Sequence, residues 1–264
     1  MSSYLCLSLL FLDSEFHGRR DGDQPEWPPS PLRVFQALVA AAAARWGEQQ
    51  WTAYAAPALK WLAEQPPPRI VAPPGSVGAA YRLSVPNNAM DVVGRAWARG
   101  NESGKGDANP ATHRAMKTVR PVRLPDDRRS RWPDDRQVSY LWELPDPLTD
   151  EVRQFAEVLC AAARSVVALG WGIDLVAGNG RVISAEDAGK FPGERWLPTT
   201  DPGAGGLRVP IRGTVAALTD RHAAFLGRLR DGGFIPVPPL AAFAVVGYRR
   251  ETDAPARPFA AFEL

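Results

Sequence analysis

Residues 4–12 read YLCLSLLFL, a run without a charged side chain or a break in its apolar character. Such a run fits a central strand buried on both faces, which needs cover on each side. A loop rich in Gly, Asp and Pro comes next, over residues 13–29. Ser30 then stands as an N-cap before Pro31 at the first helical position. The helix that opens there is expected to reach Trp46, ahead of Gly47, and its stretch 37–44 is apolar on all sides, as packing under a sheet requires. Nine residues are too few to span a bilayer, and no basic segment precedes them, so a cytoplasmic protein without a membrane partner is expected.

Periodicity places the next elements. A second helix over residues 48–63 is expected to stop before Pro66, Pro67 and Pro68. AYRLSV (80–85) alternates as a strand, and after a long irregular region QVSYLWE (137–143) does so again. Thr149 caps a helix with Asp150 and Glu151 in its first turn, ending at Gly170, and residues 173–177 read as a further strand. The order strand, helix, strand, insert, strand, helix, strand is the βαββαβ pattern of an α+β, ferredoxin-like (RRM-like) domain over residues 1–184. Residues 185–264 add a C-terminal αβ extension, with a helix over 214–230, a strand over 240–248 and the start of another at PFAAFEL.

With 264 residues there is ample chain for a buried core. The net charge of +2 is uninformative, but its distribution is not. Residues 95–136 carry 11 Lys plus Arg against 6 Asp plus Glu, leaving 20 against 23 elsewhere. A slightly acidic body therefore bears one basic arm within the insertion 86–136. Its densest part, THRAMKTVRPVRLPDDRRSRW, spaces Arg114, Lys117, Arg120 and Arg123 by threes, with Arg128, Arg129 and Arg131 close behind. An extended arm of this kind can track a phosphate backbone, and the charge split favours that reading of residues 114–131 over a solvated surface loop. Of the 31 basic residues only 4 are lysines. Arginine suits phosphates and base edges, although a GC-rich genome accounts for the same bias.

Catalytic signatures are weak. Cys6 and Cys160 read as small core residues, and no metal-ligand spacing occurs, so neither a metal nor a cofactor is expected. His17 lies beside Arg19 and Arg20, His113 beside Lys117, and His222 on a helix one turn before Phe225 and Leu226. A structural or binding role is the better reading for each. Asp126-Asp127 and Asp134-Asp135 read as local salt-bridge partners. Gly170, Gly172, Gly178 and Gly180 read as a helix C-cap and a hairpin turn, with close approach to RNA as the alternative.

The segment FHGRRDGDQPEWPPSPLRVFQALVAAAAARWG resembles the N-terminal signature of the type I-G (formerly I-U) CRISPR-associated Cascade subunit, a crRNA 5′-handle-binding protein fused to a repeat-processing ribonuclease. The resemblance extends through LGWGIDLV and LRVPIRGTVAALTDRHAAFLGRL. It implies a ferredoxin-like fold of the RAMP superfamily, with residues 86–136 as a thumb gripping the crRNA. The short GWG stands where that superfamily carries a glycine-rich loop, and the ribonuclease half is expected to lie outside this sequence.

The resemblance and the charge split together imply a non-catalytic RNA-binding subunit of a type I Cascade effector in antiviral DNA surveillance. It would hold the crRNA 5′ handle and cap the backbone filament. Its expected partners are crRNA and the backbone and large subunits, with target DNA near the PAM end a further candidate. The residues expected on RNA are His17, Arg19, Arg20, Trp27, Ser30, Arg33, Arg114, Lys117, Arg120, Arg123, Arg128, Arg129 and Arg131. Trp27 could stack on a base or act as an apolar staple, and Ser30 with the helix N-terminus supplies backbone donors. The alternative is a metal-independent endoribonuclease processing pre-crRNA through His17 or His113 with Lys117, or through the missing domain. A protein-only assembly factor, its basic arm on an acidic partner, is a third reading.

Overall fold

The computed structural model describes residues 2–86, 90–102, 104–125, 133–201, 204–230 and 233–254. In chain order its main strands are β1 (Ser3–Phe11), β2 (Arg69–Ala72), β3 (Tyr81–Pro86), β4 (Arg114–Val119), β5 (Gln137–Glu143), β6 (Val176–Ser184), β7 (Glu194–Thr199), β8 (Gly205–Pro210) and β9 (Phe243–Arg250). The helices are α1 (Pro31–Arg45), α2 (Ala56–Ala63), α3 (Met90–Ala98), α4 (Asp150–Ala163), α5 (Ala185–Gly189) and α6 (Thr214–Leu226). The architecture is α+β.

Seven strands form one sheet in the order β8-β9-β7-β2-β5-β1-β6, antiparallel at every pairing. The apolar run that opens the chain is β1, near the sheet's end and buried along most of its length. Leu5, Leu7, Leu9 and Phe11 join the main core with Val34, Phe35 and Leu38 of α1, Leu59 and Leu62 of α2, and Ala156 and Leu159 of α4. The alternate residues Tyr4 and Cys6 meet Val71, Leu141, Ile183 and Ala188 in a smaller cluster on the opposite face, closed by α5. Thr149 caps α4 as expected, accepting from the Val152 N–H at 3.3 Å.

Several expectations need correction, among them the helix after Thr149, which ends at Ala163 and not at Gly170. The second sheet strand is Arg69–Ala72, directly after the triple proline, and not residues 80–85. RIVA is short and almost wholly buried, so it lacks the alternation that residues 80–85 display. Those residues belong to β3, which pairs with β4 as a separate hairpin in the arm. The strand expected over 173–177 begins at Val176 and runs to Ser184, so the GNG triplet lies inside a strand and is no hairpin turn. Gly178 and Gly180 are there because α4 presses on β6. A Cβ on Gly178 would stand 2.0 Å from the Ala163 carbonyl oxygen, and one on Gly180 would stand 2.5 Å from the Cys160 Cα. The long helix expected over 214–230 ends at Leu226, and the strand expected over 240–248 is β9. Finally, Ser30 occupies the α1 N-cap position, but its side chain makes no capping bond; its own N–H donates to Glu26 Oε1, and the Arg33 N–H donates to its carbonyl.

The expected extension contributes β7, β8 and β9 to the same sheet as β1. PFAAFEL lies outside the described residues.

Candidate nucleic-acid interface

The arm returns to the body at a small three-stranded sheet. Glu15–Phe16 pairs with Val122–Arg123, which pairs in turn with Ser76–Val77. Phe16 is fully buried, packed on Phe11 and Trp27, and this anchors the next residue, His17.

His17 is buried and tied down from several sides. Its backbone N–H donates to Asp174 Oδ1 at 3.1 Å, and its Nδ1 lies 2.6 Å from the same oxygen. Nε2 lies 2.5 Å from the Tyr81 hydroxyl, which is 3.0 Å from Glu15 Oε2. Trp171 stacks on the imidazole at 6.3 Å and 11°. Arg19 and Lys117 place their charges 5.7 and 5.9 Å from the centre of that indole. Arg19 also donates to the Thr118 carbonyl on β4 and pairs with Asp23 at 3.0 Å. Arg123 lies 3.5 Å from Glu15 Oε1. The arm is thus joined to the body by polar and ring contacts that converge on one histidine.

Local chain chemistry builds this arrangement. The LGWGID turn brings Trp171 and Asp174 together, with the Asp174 N–H donating to the Trp171 carbonyl at 3.0 Å. Gly170 sits at φ 92°, and a Cβ there would stand 2.7 Å from Arg33 Nη1. On the hairpin, Tyr81 faces Val119 and Leu83 faces Lys117, so Tyr81 and Lys117 share the face turned to His17.

Proton placement is coupled across the cluster. The Tyr81 hydroxyl carries one proton and can give it to His17 Nε2 or to Glu15. If it goes to Nε2, a neutral imidazole donates from Nδ1 to Asp174. If it goes to Glu15, His17 Nε2–H donates to the phenol oxygen. Burial holds the Asp174 carboxyl above its ordinary range, opposed by its bonds to His17. Burial, then the bond to Glu15, pushes the Tyr81 phenol up to about 12. Among the described residues no His, Cys, Asp or Glu cluster is placed to hold a metal ion.

A family model for CRISPR-associated proteins matches residues 4–264. The chain belongs to the GSU0054 family of CRISPR-associated proteins. Membership in this family gives it a role in CRISPR defence, with partners drawn from a CRISPR complex. A solved CRISPR protein from Archaeoglobus fulgidus is similar at 13% identity and a TM-score of 0.31, over 79% of this chain and 68% of that one. No curated protein matches it. Among the described residues of this GSU0054-family chain, no helix is long and apolar enough to cross a membrane.

The residues expected on RNA separate into groups. His17, Arg19 and Lys117 converge on Trp171, with Arg123 beside them on Glu15. Arg20, Arg114 and Arg120 are exposed, and Arg114 projects on the opposite face of β4 from Lys117, because a spacing of three alternates sides on a strand. Arg128, Arg129 and Arg131 lie outside the described residues.

Trp27, Ser30 and Arg33 have internal partners. Trp27 packs on Phe11 and Phe16, and its Nε1–H donates to the Pro73 carbonyl. The Ser30 N–H donates to Glu26 Oε1 at 2.6 Å. Arg33 grips both oxygens of the buried Glu26 at 3.0 Å each and donates to the Arg19 carbonyl. Burial alone would lower the Arg33 pKa; the bonds to Glu26 outweigh it and raise it. The start of α1 is therefore filled by a carboxylate of the protein itself. Sequence reading missed Glu26, Glu15, Tyr81, Trp171 and Asp174, although the glycines of GWG were noted as a helix C-cap and as standing where a glycine-rich loop is expected.

Proposed function

We propose that this protein is the crRNA-binding subunit of a type I-G Cascade effector, holding the 5′ handle and capping the backbone filament during surveillance of invading DNA. The spatial order β2-β5-β1-β6, antiparallel throughout and interrupted by α1 and α4 in the βαββαβ sequence, supports a ferredoxin-like RAMP core. The hairpin β3–β4 with its basic neighbours is the thumb.

One observation carries the reading: two cations, Arg19 from the body and Lys117 from the arm, meet over Trp171 at the seam between them. Cations beside an aromatic ring, on an arm with a net positive charge, suit the phosphates and unpaired bases of single-stranded RNA. Exposed Arg20, Arg114, Arg120 and Arg123 extend that surface, while Trp27, Ser30, Glu26 and Arg33 brace the loop from behind. Backbone and large subunits, and target DNA near the PAM end, are the partners such a subunit would meet.

The test is repeat RNA binding across a salt series. Wild-type protein should bind with a steep salt slope. Charge reversal at Arg19, Arg120 and Arg123 together should weaken binding and flatten that slope by roughly 2, at about 0.7 per lost single-strand phosphate contact. Unchanged affinity would leave the arm to a protein partner.

A second reading rests on the His17–Asp174 pair, a buried carboxylate orienting an imidazole with Lys117 near the same indole. That set could move a 2′-hydroxyl proton without a metal. It predicts cleavage of repeat RNA in EDTA that His17→Ala abolishes. Among the described residues, no contact places His113 in this cluster.

A further inference from the structure

The sheet face away from α1 and α4 carries a feature that the arm does not explain. Ser8 on β1 lies opposite Ser139 on β5 and Asn179 on β6, making a polar row across three strands. Ser8 and Ser139 are 6% and 2% exposed, and their hydroxyls lie 2.9 Å apart. Cys6 Sγ lies 3.4 Å from Ser8 Oγ, and Gln137 Nε2 donates to Ser139 Oγ at 3.1 Å, so the row is bonded through to the rim. Aliphatic side chains would be the stabilising choice at the middle of two buried strands. The two hydroxyls satisfy one another there, and Ser139 is reached from the rim through Gln137.

Beside this row is a cavity of about 150 Å³, lined by Gln137, Ser139, Arg181, Phe191 and Pro192. It offers an amide and a hydroxyl at the base, an aromatic wall and a cation. Arg181 lies 5.4 Å from the Phe191 ring centre, is exposed, and forms no ion pair among the described residues. The volume is well below the several hundred Å³ of a small-molecule pocket. It suits one planar group of a longer chain better than a free cofactor. A larger cleft of about 640 Å³ on the same face sets Arg69 and Arg195 beside Glu143 and Glu251, so its charges balance.

We propose that the smaller cavity is a single-nucleotide subsite for unpaired RNA. Phe191 stacks the base, Gln137 and Ser139 bond its edge, and Arg181 turns from the ring to the adjoining phosphate. This rests on the RNA-binding reading above, and it places a second contact on the sheet face turned away from α1 and α4.

The test uses the full chain and a single-stranded oligonucleotide of the repeat carrying 4-thiouridine. Photocross-links should map to the peptide holding Phe191 as well as to the arm. Phe191→Ala should weaken binding roughly tenfold, within the range for one base–aromatic stack. Arg181→Ala, at an exposed position, should reduce the salt slope by about 0.7. Cross-links confined to the arm, with Arg181→Ala binding as wild type does, would overturn the subsite while leaving the RNA-binding function intact. If the wild-type chain binds no RNA, the function proposed above fails, and the subsite fails with it.

Discussion

The Nδ1 atom of His17 and the Oδ1 atom of Asp174 lie 2.6 Å apart across 157 positions of chain, and the same oxygen accepts the His17 backbone N–H. Ring and backbone are thereby fixed by one buried carboxylate, and the loop after β1 cannot shift without the turn before β6.

This pair sets a pH dependence. The folded-state pKa of Asp174 is raised, so between the ordinary carboxylate range and that value the folded protein holds more protons than the unfolded one, and stability falls as pH rises through the window. His17 limits that loss. His17→Ala should therefore cost about 1–3 kcal/mol, with a larger deficit at neutral pH than near pH 4. Urea midpoints at the two pH values check this; an equal deficit at both would contradict it.

Tyr81 predicts an alkaline limb. Its phenol titrates at about 12 in the fold against an ordinary value of 10, so stability present below pH 10 is lost as pH rises from about 10 to about 12. Tyr140 and Tyr248 are raised as well and will contribute. The share belonging to Tyr81 is the difference from Tyr81→Phe, whose alkaline loss should be smaller in denaturant melts.

Glu26 is the internal anion at the start of α1. Glu26→Ala leaves the Ser30 N–H and the Arg33 guanidinium without their carboxylate, at a cost of about 3 kcal/mol, the lower end for a broken buried pair because Arg33 retains some solvent contact. Glu26→Ala with Arg33→Met should recover much of that loss. A double-mutant cycle by chemical denaturation reads it directly.

Gly178→Ala would push a Cβ into the Ala163 carbonyl oxygen, which belongs to helix backbone and has little room to retreat. Destabilisation of about 1–3 kcal/mol is expected, as for an overpacked core. Gly172→Ala is the control, since nothing lies within 4 Å of the added carbon. Thermal melts should separate the two variants clearly.

Much of the fold was legible because it rests on local signals. The β1 run, the Pro31 start of α1 and the Thr149 cap each declare themselves within a few residues. Arg69–Ala72 did not, since four buried residues carry no period, and residues 80–85 alternated just as well in a hairpin outside the main sheet. The strand glycines at 178 and 180 read as a turn because their cause, the α4 backbone, lies elsewhere in the sequence. The site was half visible for the same reason. His17, Arg19 and Lys117 were marked by charge and chemistry, whereas Asp174, Tyr81 and Trp171 acquire meaning only through contacts 54 to 157 positions away.

The arm leaves the sheet from β2 and re-enters through β5, and these two strands are antiparallel neighbours. In the language of topology, the whole excursion is an overgrown hairpin connection whose ends stay about one strand spacing apart. Its length can therefore change without altering the strand order or the register of the body. Residues added to or removed from that excursion would leave the pairing of Arg69–Ala72 with Gln137–Glu143, and so the main sheet, in place.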